Sequence, residues 1–413
     1  MDCHTMKSNN NTIKLDYGQG CLELLAGEEV EVVLPRELPP AGPEEVRRSL
    51  EQAVGRRLED FAGARSASIL VSDITRPAPS HLMLPPLVRR MRELNITDLS
   101  VVFALGTHRR MSPAEEEYLL RECIRLPHSQ HDPKACISLG FTERGTPVEI
   151  LESVASSDLI VATGNIEYHY YAGYSGGAKA ILPGVSSEPS VVRNHELMRD
   201  PAATTGNLKS PVRQDMEEAA RIADLDFILN TVLNSRKEIV LSTAGDYIKA
   251  HRIGAAAVDR MYRCPVERAD IVVSCAGGRP KDINLFQAQK ALDNAKNAAL
   301  PGGSIILLAE CSEGLGHPVF ERWACEATSA EQCWERFGIE YEFGGHKAAF
   351  LAKESLEHHL ILVSSMPRDK VEMCFMNPAR TLEEALSQAW KRQGRDARML
   401  VMPYGNLTLA VGK

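Results

Sequence analysis

Six short runs rich in β-branched residues, at positions 68–71, 99–104, 158–161, 270–273, 303–308 and 360–363, alternate with stretches of helical period at 43–61, 113–125, 211–223, 285–299 and 382–391. Runs so uniformly apolar leave no solvated face, so they read as strands covered on both sides, which is the habit of parallel sheets. Strand and helix in alternation give a parallel α/β fold. Several helices carry start signals: Ser112-Pro113 with Glu115, Ser210-Pro211, and Thr381 with Glu384, where a hydroxyl caps and a carboxylate can close the capping box. A chain of 413 residues exceeds one compact core. Two α/β domains with parallel-rich sheets are therefore expected, over 1–262 and 263–413, with the boundary between 261 and 268 and an active-site cleft between the domains.

Composition narrows the function classes. A net charge of -8 and a pI near 5.9 leave no basic footprint for nucleic acid. No apolar run is long enough for a bilayer, and the N-terminal residues lack the apolar core of a signal peptide, so a cytoplasmic location is expected. The ten cysteines are scattered, the closest pair being Cys325 and Cys333, which matches neither a zinc motif nor a disulfide framework. Most read as small buried hydrophobes.

The polar motifs gather where the strands end. Ser72-Asp73-Ile74-Thr75-Arg76-Pro77 follows the first run and Gly106-Thr107-His108-Arg109 the second. The glycine-rich segment from Gly164 to Gly184, containing His169 and Lys179, follows the third, and Ser274-Cys275-Ala276-Gly277-Gly278 the fourth. Each alone has a plain reading as a surface pair or a loop, but the carboxyl edge of a parallel sheet is where such folds bind ligands. Glycines including Gly176 and Gly177 let main-chain amides approach a ligand closely. The histidines form no H-E-x-x-H pair, Lys179 lacks the Gly and Ser/Thr neighbours of a Walker A loop, and there is no G-x-S-x-G elbow. What is left is His108 and His169, a third imidazole at His195, and the cations Arg76, Arg109 and Lys179. Two imidazoles can serve as general acid and base, and the cations suit a carboxylate substrate.

These motifs, together with Asn194-His195 and Gln287-Ala288-Gln289-Lys290, resemble in order and spacing the nickel-pincer lactate racemases and their 2-hydroxyacid racemase and epimerase relatives, from about residue 72 to 290. The resemblance implies an isomerase that inverts C2 of a small 2-hydroxycarboxylate by hydride transfer. It implies a cofactor, pyridinium-3,5-bisthiocarboxylic acid mononucleotide holding nickel, made by separate biosynthesis proteins. Residue by residue, it implies that Lys179 can bond covalently to the cofactor, that His195 ligates nickel, and that His108 and His169 act as acid and base. It further implies that Asp73, Thr75, Arg109, Gly176 and Gly177 contact the nucleotide, and that Arg76, Gln287 and Lys290 hold the substrate carboxylate, with the C-terminal domain completing the substrate site. Phe286 and Phe350 stand where relatives commonly have Tyr and Trp, so the pocket wall, and with it the substrate side chain, departs from the lactate pattern.

Among the other histidines, His251 reads as a structural residue, or with Asp246 as a second-layer or interdomain one, and His317 as a strand-end loop residue of the second domain that lines the cleft or nothing; Tyr170, Tyr171 and Tyr174 read as walls, since phenols titrate far above neutral. A carrier of the nickel nucleotide would need Lys179 and His195 but not the His108/His169 pair, and a hydroxyacid lyase or dehydratase could use the same bases. Homo-oligomerisation stays open.

Overall fold

The computed structural model describes residues 5–7, 12–25 and 30–413. It forms two compact α/β units: Glu37–Met261, and the segment up to Arg36 together with Tyr262–Lys413. The change at 261/262 coincides with the expected boundary. The first domain expected over 1–262, however, begins at Glu37 in the structure, because Glu31–Val33 pairs in parallel with Met399–Met402 and Thr5–Lys7 pairs antiparallel to it.

In the Glu37–Met261 unit the sheet runs Ile239–Gly245, Phe227–Leu233, Leu159–Asn165, Ser66–Ser72, Asp98–Ala104, His128–Gln130. All neighbours are parallel except the first pair. The first three strands expected from the sequence are all present. The strand Phe227–Leu233 escapes an apolar-run reading because Asn230 and Thr231 interrupt it, yet both are buried. The helix Ser80–Glu93 was hidden by Pro85 and Pro86, which ordinarily exclude a helix interior. The expected helix over 43–61 is cut to Glu44–Glu51, with Gly55 at φ +81° beyond it. Chain order reverses between Ser66–Ser72 and Leu159–Asn165, so the crevice at their carboxyl ends is a topological switch point.

The other unit repeats this logic. Its sheet runs Thr5–Lys7, Glu31–Val33, Met399–Met402, Ala269–Cys275, Ala299–Leu308, His359–Val363, Asn377–Ala379. Ile271, Val273, Ile306, Leu308, Ile361 and Val401 fill one face together with Leu382, Ala385 and Ala389 of the helix Leu382–Gln393. Ser112 and Thr381 cap as expected, accepting from the amides of Glu115 and Glu384. Ser210 does not: its hydroxyl donates instead to the Tyr171 carbonyl at 2.6 Å, tying the start of Pro211–Ile222 to the glycine-rich segment. No helix among the described residues is long and apolar enough to cross a membrane.

A buried carboxylate fastens the helices that flank the switch point. Asp215 accepts from Thr142 Oγ1 (2.6 Å), Thr146 Oγ1 (2.8 Å) and Asn194 Nδ2 (2.8 Å), joining the hairpin Cys136–Phe141/Pro147–Leu151 and the helices Glu188–Glu196 and Pro211–Ile222. Asp215→Ala strands three buried donors, and we expect a loss of about 3 kcal/mol of stability, read as a lower denaturant midpoint; a shift under about 0.5 kcal/mol would show that the network bears no weight.

Candidate active site

At the end of Ser66–Ser72 the chain turns through Asp73, whose Oδ1 accepts from the Thr75 amide at 2.8 Å and from the Thr75 hydroxyl. Its Oδ2 faces His108 Nδ1 at 3.0 Å. Asp73 is 4% exposed, and burial alone would raise its pKa; the hydrogen bond and charge of His108, with Thr75 and Arg76, hold the carboxyl well below its ordinary range instead. An anionic Asp73 accepts a hydrogen bond from His108 Nδ1–H, which leaves the lone pair on Nε2, facing an Arg76 guanidinium N–H at 3.4 Å. His108 is thus presented as a base.

The glycine-rich segment folds into a small hairpin. Tyr168 pairs with Tyr174 and His169 with Gly173, and Ser175 N donates to the Glu167 carbonyl at 2.8 Å. His169 Nδ1 accepts from the Ala172 amide at 3.4 Å, which puts the ring proton on Nε2. The two imidazoles therefore present complementary states: an Nε2 acceptor at His108 and an Nε2 donor at His169.

His195 lies on the helix Glu188–Glu196 and is 4% exposed. Its Nδ1 donates to the Val191 carbonyl one turn back at 2.7 Å, so Nε2 carries the lone pair; the Tyr171 hydroxyl meets it at 2.5 Å. Burial, reinforced by Lys179, lowers its pKa to about 3. A neutral imidazole with its tautomer fixed by a main-chain acceptor is the form that ligates a transition metal. Lys179 is pushed well below the ordinary lysine value by burial, with the Arg76 and Arg213 charges adding to the effect. The side chain is only partly covered by area, but protein and the charges of Arg76 and Arg213 surround it. A lysine in that state is a nucleophilic amine. These two groups fit a nickel-bearing, electrophilic cofactor: one supplies a neutral nitrogen ligand, the other an amine.

Other expected contacts are placed differently. Gly176 and Gly177 have φ of +73° and +60°, and Cβ atoms there would come within 2.8 Å of Asn230 Oδ1 and 2.9 Å of the His251 ring. Their permissiveness is spent on close packing, and the Gly177 amide donates to Asn230 at 2.8 Å. Arg109 is exposed and forked onto Glu115 at 2.6 and 2.9 Å. In the C-terminal unit, Lys290 Nζ donates to Gln287 Oε1 at 2.9 Å, joining the expected carboxylate pair. Phe286 stacks on His317, whereas Phe350 packs against Phe337 at 5.5 Å and Trp334 at 6.2 Å.

Sequence reasoning missed three supports. Tyr171, read as a wall, hydrogen-bonds His195. Asn230 receives the Gly177 amide. Arg213, wholly buried, donates to the carbonyls of Ala172 (3.2 Å), Gly176 (3.3 Å) and Tyr174. The available signal was a charged residue beside Val212 and Met216 on the buried face of its helix. His251 is buried as expected, its Nε2 donating to the Ser175 carbonyl at 2.9 Å.

Comparison with known proteins identifies the family: the chain belongs to the lactate racemases. Residues 17–206 match the model of the lactate racemase N-terminal domain and 265–409 that of the C-terminal domain. The chain is 35% identical over 376 residues to the lactate racemase of Thermoanaerobacterium thermosaccharolyticum, covering 87% of this chain and 88% of that protein. It is 33% identical to the lactate racemase of Lactiplantibacillus plantarum, over 88% and 89% of the two chains. The solved apoprotein of the former superposes with a TM-score of 0.92 at 32% identity, covering 97% of this chain and 99% of that one. A Thermotoga maritima protein at 20% identity shares the fold, with a TM-score of 0.68 over 91% of this chain and 99% of that one.

The buried histidines give the protein a defined acid response. His251, like His195, has a folded pKa below the ordinary 6.5, chiefly through burial and, for His251, the Arg213 charge. Below about pH 6.5 the unfolded chain takes up protons that the native site refuses, so stability is full above that pH and falls on acidification. His251→Gln, which keeps an amide donor for Ser175, is expected to flatten the fall in melting temperature between about pH 7 and 5; an unchanged slope would remove His251 from the account.

Proposed function

Because the chain belongs to the lactate racemase family and is an isomerase, we propose that it interconverts the two enantiomers of lactate or a close 2-hydroxycarboxylate, with nickel held by His195. The observations that carry this reading are His108 held by Asp73, His169 accepting from the Ala172 amide, and a neutral His195 whose tautomer the Val191 carbonyl fixes. The nickel-pincer nucleotide, when bound, supplies an acceptor for the C2 hydride. Lys179, with its lowered pKa, would anchor that group, covalently where an electrophilic arm meets the amine. His195 would offer Nε2 to the metal, which requires the Tyr171 hydroxyl to move off that atom.

The chain's own groups handle the protons and the substrate charge. His108 Nε2 takes the C2-hydroxyl proton, and Asp73 stabilises the imidazolium that results. For the opposite enantiomer His169 takes the corresponding role in the tautomer with its proton on Nδ1, which requires the 3.4 Å contact from the Ala172 amide to be released, and each ring acts as acid from its protonated form when the hydroxyl is re-formed, as inversion at one carbon requires. Arg76 offers a planar fork for the carboxylate. The Thr75 and glycine-segment groups would line the nucleotide. Asp73 is assigned to His108 instead, because a carboxylate has no proton to offer a phosphate.

Protein produced together with cofactor-making enzymes should carry nickel. We expect His195→Ala to lose most of that metal. His108→Ala and His169→Ala should keep the metal while racemisation, followed by chiral analysis of lactate, falls by roughly 10² to 10⁴. Nickel retained in His195→Ala, or wild-type rates in both of the other variants, would reject the assignment. Loaded protein that turns over no 2-hydroxy acid would favour a carrier.

A further inference from the structure

The nitrogen that His195 offers a metal is already engaged. The Tyr171 hydroxyl donates to His195 Nε2 at 2.5 Å, while Nδ1 is spent on the Val191 carbonyl at 2.7 Å. Both side chains are buried, at 5% and 4% exposure, and both belong to the Glu37–Met261 unit. A divalent ion such as zinc sits about 2.0–2.1 Å from an imidazole nitrogen, so an ion on Nε2 would stand where the phenol oxygen now stands. Metal and hydroxyl exclude one another there.

The phenol is held in that place. Its ring meets His169 edge-on, with centroids 4.4 Å apart and planes at 84°, and meets Tyr170 at 4.6 Å and 81°. The Ser210 hydroxyl donates to the Tyr171 carbonyl at 2.6 Å. Two residues on, Gly173 has φ of +74°, and a Cβ there would fall 2.3 Å from the Asn207 carbonyl oxygen. With the backbone pinned at and beyond the ring, the oxygen leaves Nε2 only by a turn of the side chain against His169 and Tyr170. That turn also takes a buried hydroxyl from its acceptor, which carries a desolvation cost.

A hydrated ion that gains a single imidazole offsets little of this cost, and its apparent affinity falls with the fraction of protein in which Nε2 is open. A group that brings its metal already ligated and also engages the Lys179 amine is held from two sides. Lys179 Nζ lies 5.9 Å from the Tyr171 ring centroid, so both anchors border the same phenol. Resting on the reading of His195 as the nickel ligand, we infer that Tyr171 is a specificity-determining lock. Its hydroxyl keeps His195 closed to bare divalent ions and yields to the preassembled nickel nucleotide.

The test uses the chain produced without cofactor-making enzymes and dialysed to equilibrium against nickel chloride or zinc chloride. Tyr171→Phe deletes the hydroxyl and keeps the ring contacts and the main-chain bond from Ser210. Bare nickel is expected to bind Tyr171→Phe roughly tenfold more tightly than wild type. The gain should vanish in Tyr171→Phe/His195→Ala, which sets aside ions held elsewhere on the surface. Circular dichroism checks folding, and Tyr171→Met, also without a hydroxyl, replaces the phenylalanine variant if that one does not fold. Equal affinity of wild type and Tyr171→Phe for the bare ions overturns the inference, as does a gain that survives His195→Ala. Co-production with the cofactor-making enzymes should load wild type and Tyr171→Phe with nickel alike; a variant that carries far less nickel would show that the hydroxyl holds the cofactor and would overturn the lock. Nickel kept by co-produced His195→Ala rejects the ligand assignment itself and the lock with it, whereas a lock that fails in dialysis leaves that assignment standing.

Discussion

One buried guanidinium shapes the whole catalytic edge. Arg213 donates to three carbonyls of the glycine-rich segment, at Ala172, Tyr174 and Gly176. A segment rich in glycine has more backbone freedom to lose than any other and few side chains to hold it. Its buried carbonyls still need donors. An arginine meets that need because its fork offers several N–H groups in fixed directions, and its pKa, lowered by burial to about 10, keeps it charged at neutral pH. The hairpin that presents His169, and the turn that follows it to Lys179, are held by that side chain together with Ser210, Asn230 and His251.

The same positive charge then sorts the titratable groups. With Arg213 and Arg76 close by, protonation of Lys179 is disfavoured, and Lys179 in turn disfavours protonation of His195. Both become electron-pair donors, the state needed to hold a metal and an electrophile. His108 has a different partner: the Asp73 carboxylate faces its Nδ1 at 3.0 Å. Two imidazoles, chemically the same side chain, thus differ in what lies beside them: a main-chain carbonyl and Lys179 at His195, a carboxylate at His108.

Much of this layout was legible because it rests on patterns local in sequence. The β-branched runs marked the central strands, and the polar motifs directly after them marked the sheet edge. What could not be read depends on contacts between distant positions. Nothing near Thr142 or Thr146 announces that both will bond Asp215, and the tyrosine beside His195 is 24 residues away from it. The strand Phe227–Leu233 was missed because its buried polar residues serve the site: Asn230 takes the Gly177 amide, and an apolar residue there would leave that donor alone. The segment before Arg36 joins the distant half of the chain through a strand of only three residues, too short for periodicity to register.

The two phenylalanines show how far position along the chain can mislead about a pocket. Phe286 and Phe350 looked equivalent, each standing for a different aromatic in relatives. In the fold, Phe350 is fixed by the helix Ala330–Ile339, where Trp334 and Phe337 already require a ring to pack against. Phe286 begins a helix, where the side chain is not yet enclosed by neighbouring turns, and its partners His317 and Phe343 come from loops. A ring in a helix-helix contact is constrained by stability, so changing it alters packing first. Phe286 meets the loop residues His317 and Phe343 and, at the start of Gly345–Glu357, His346, so a change of ring there alters contacts at the ends of helices and not within a helix-helix seam.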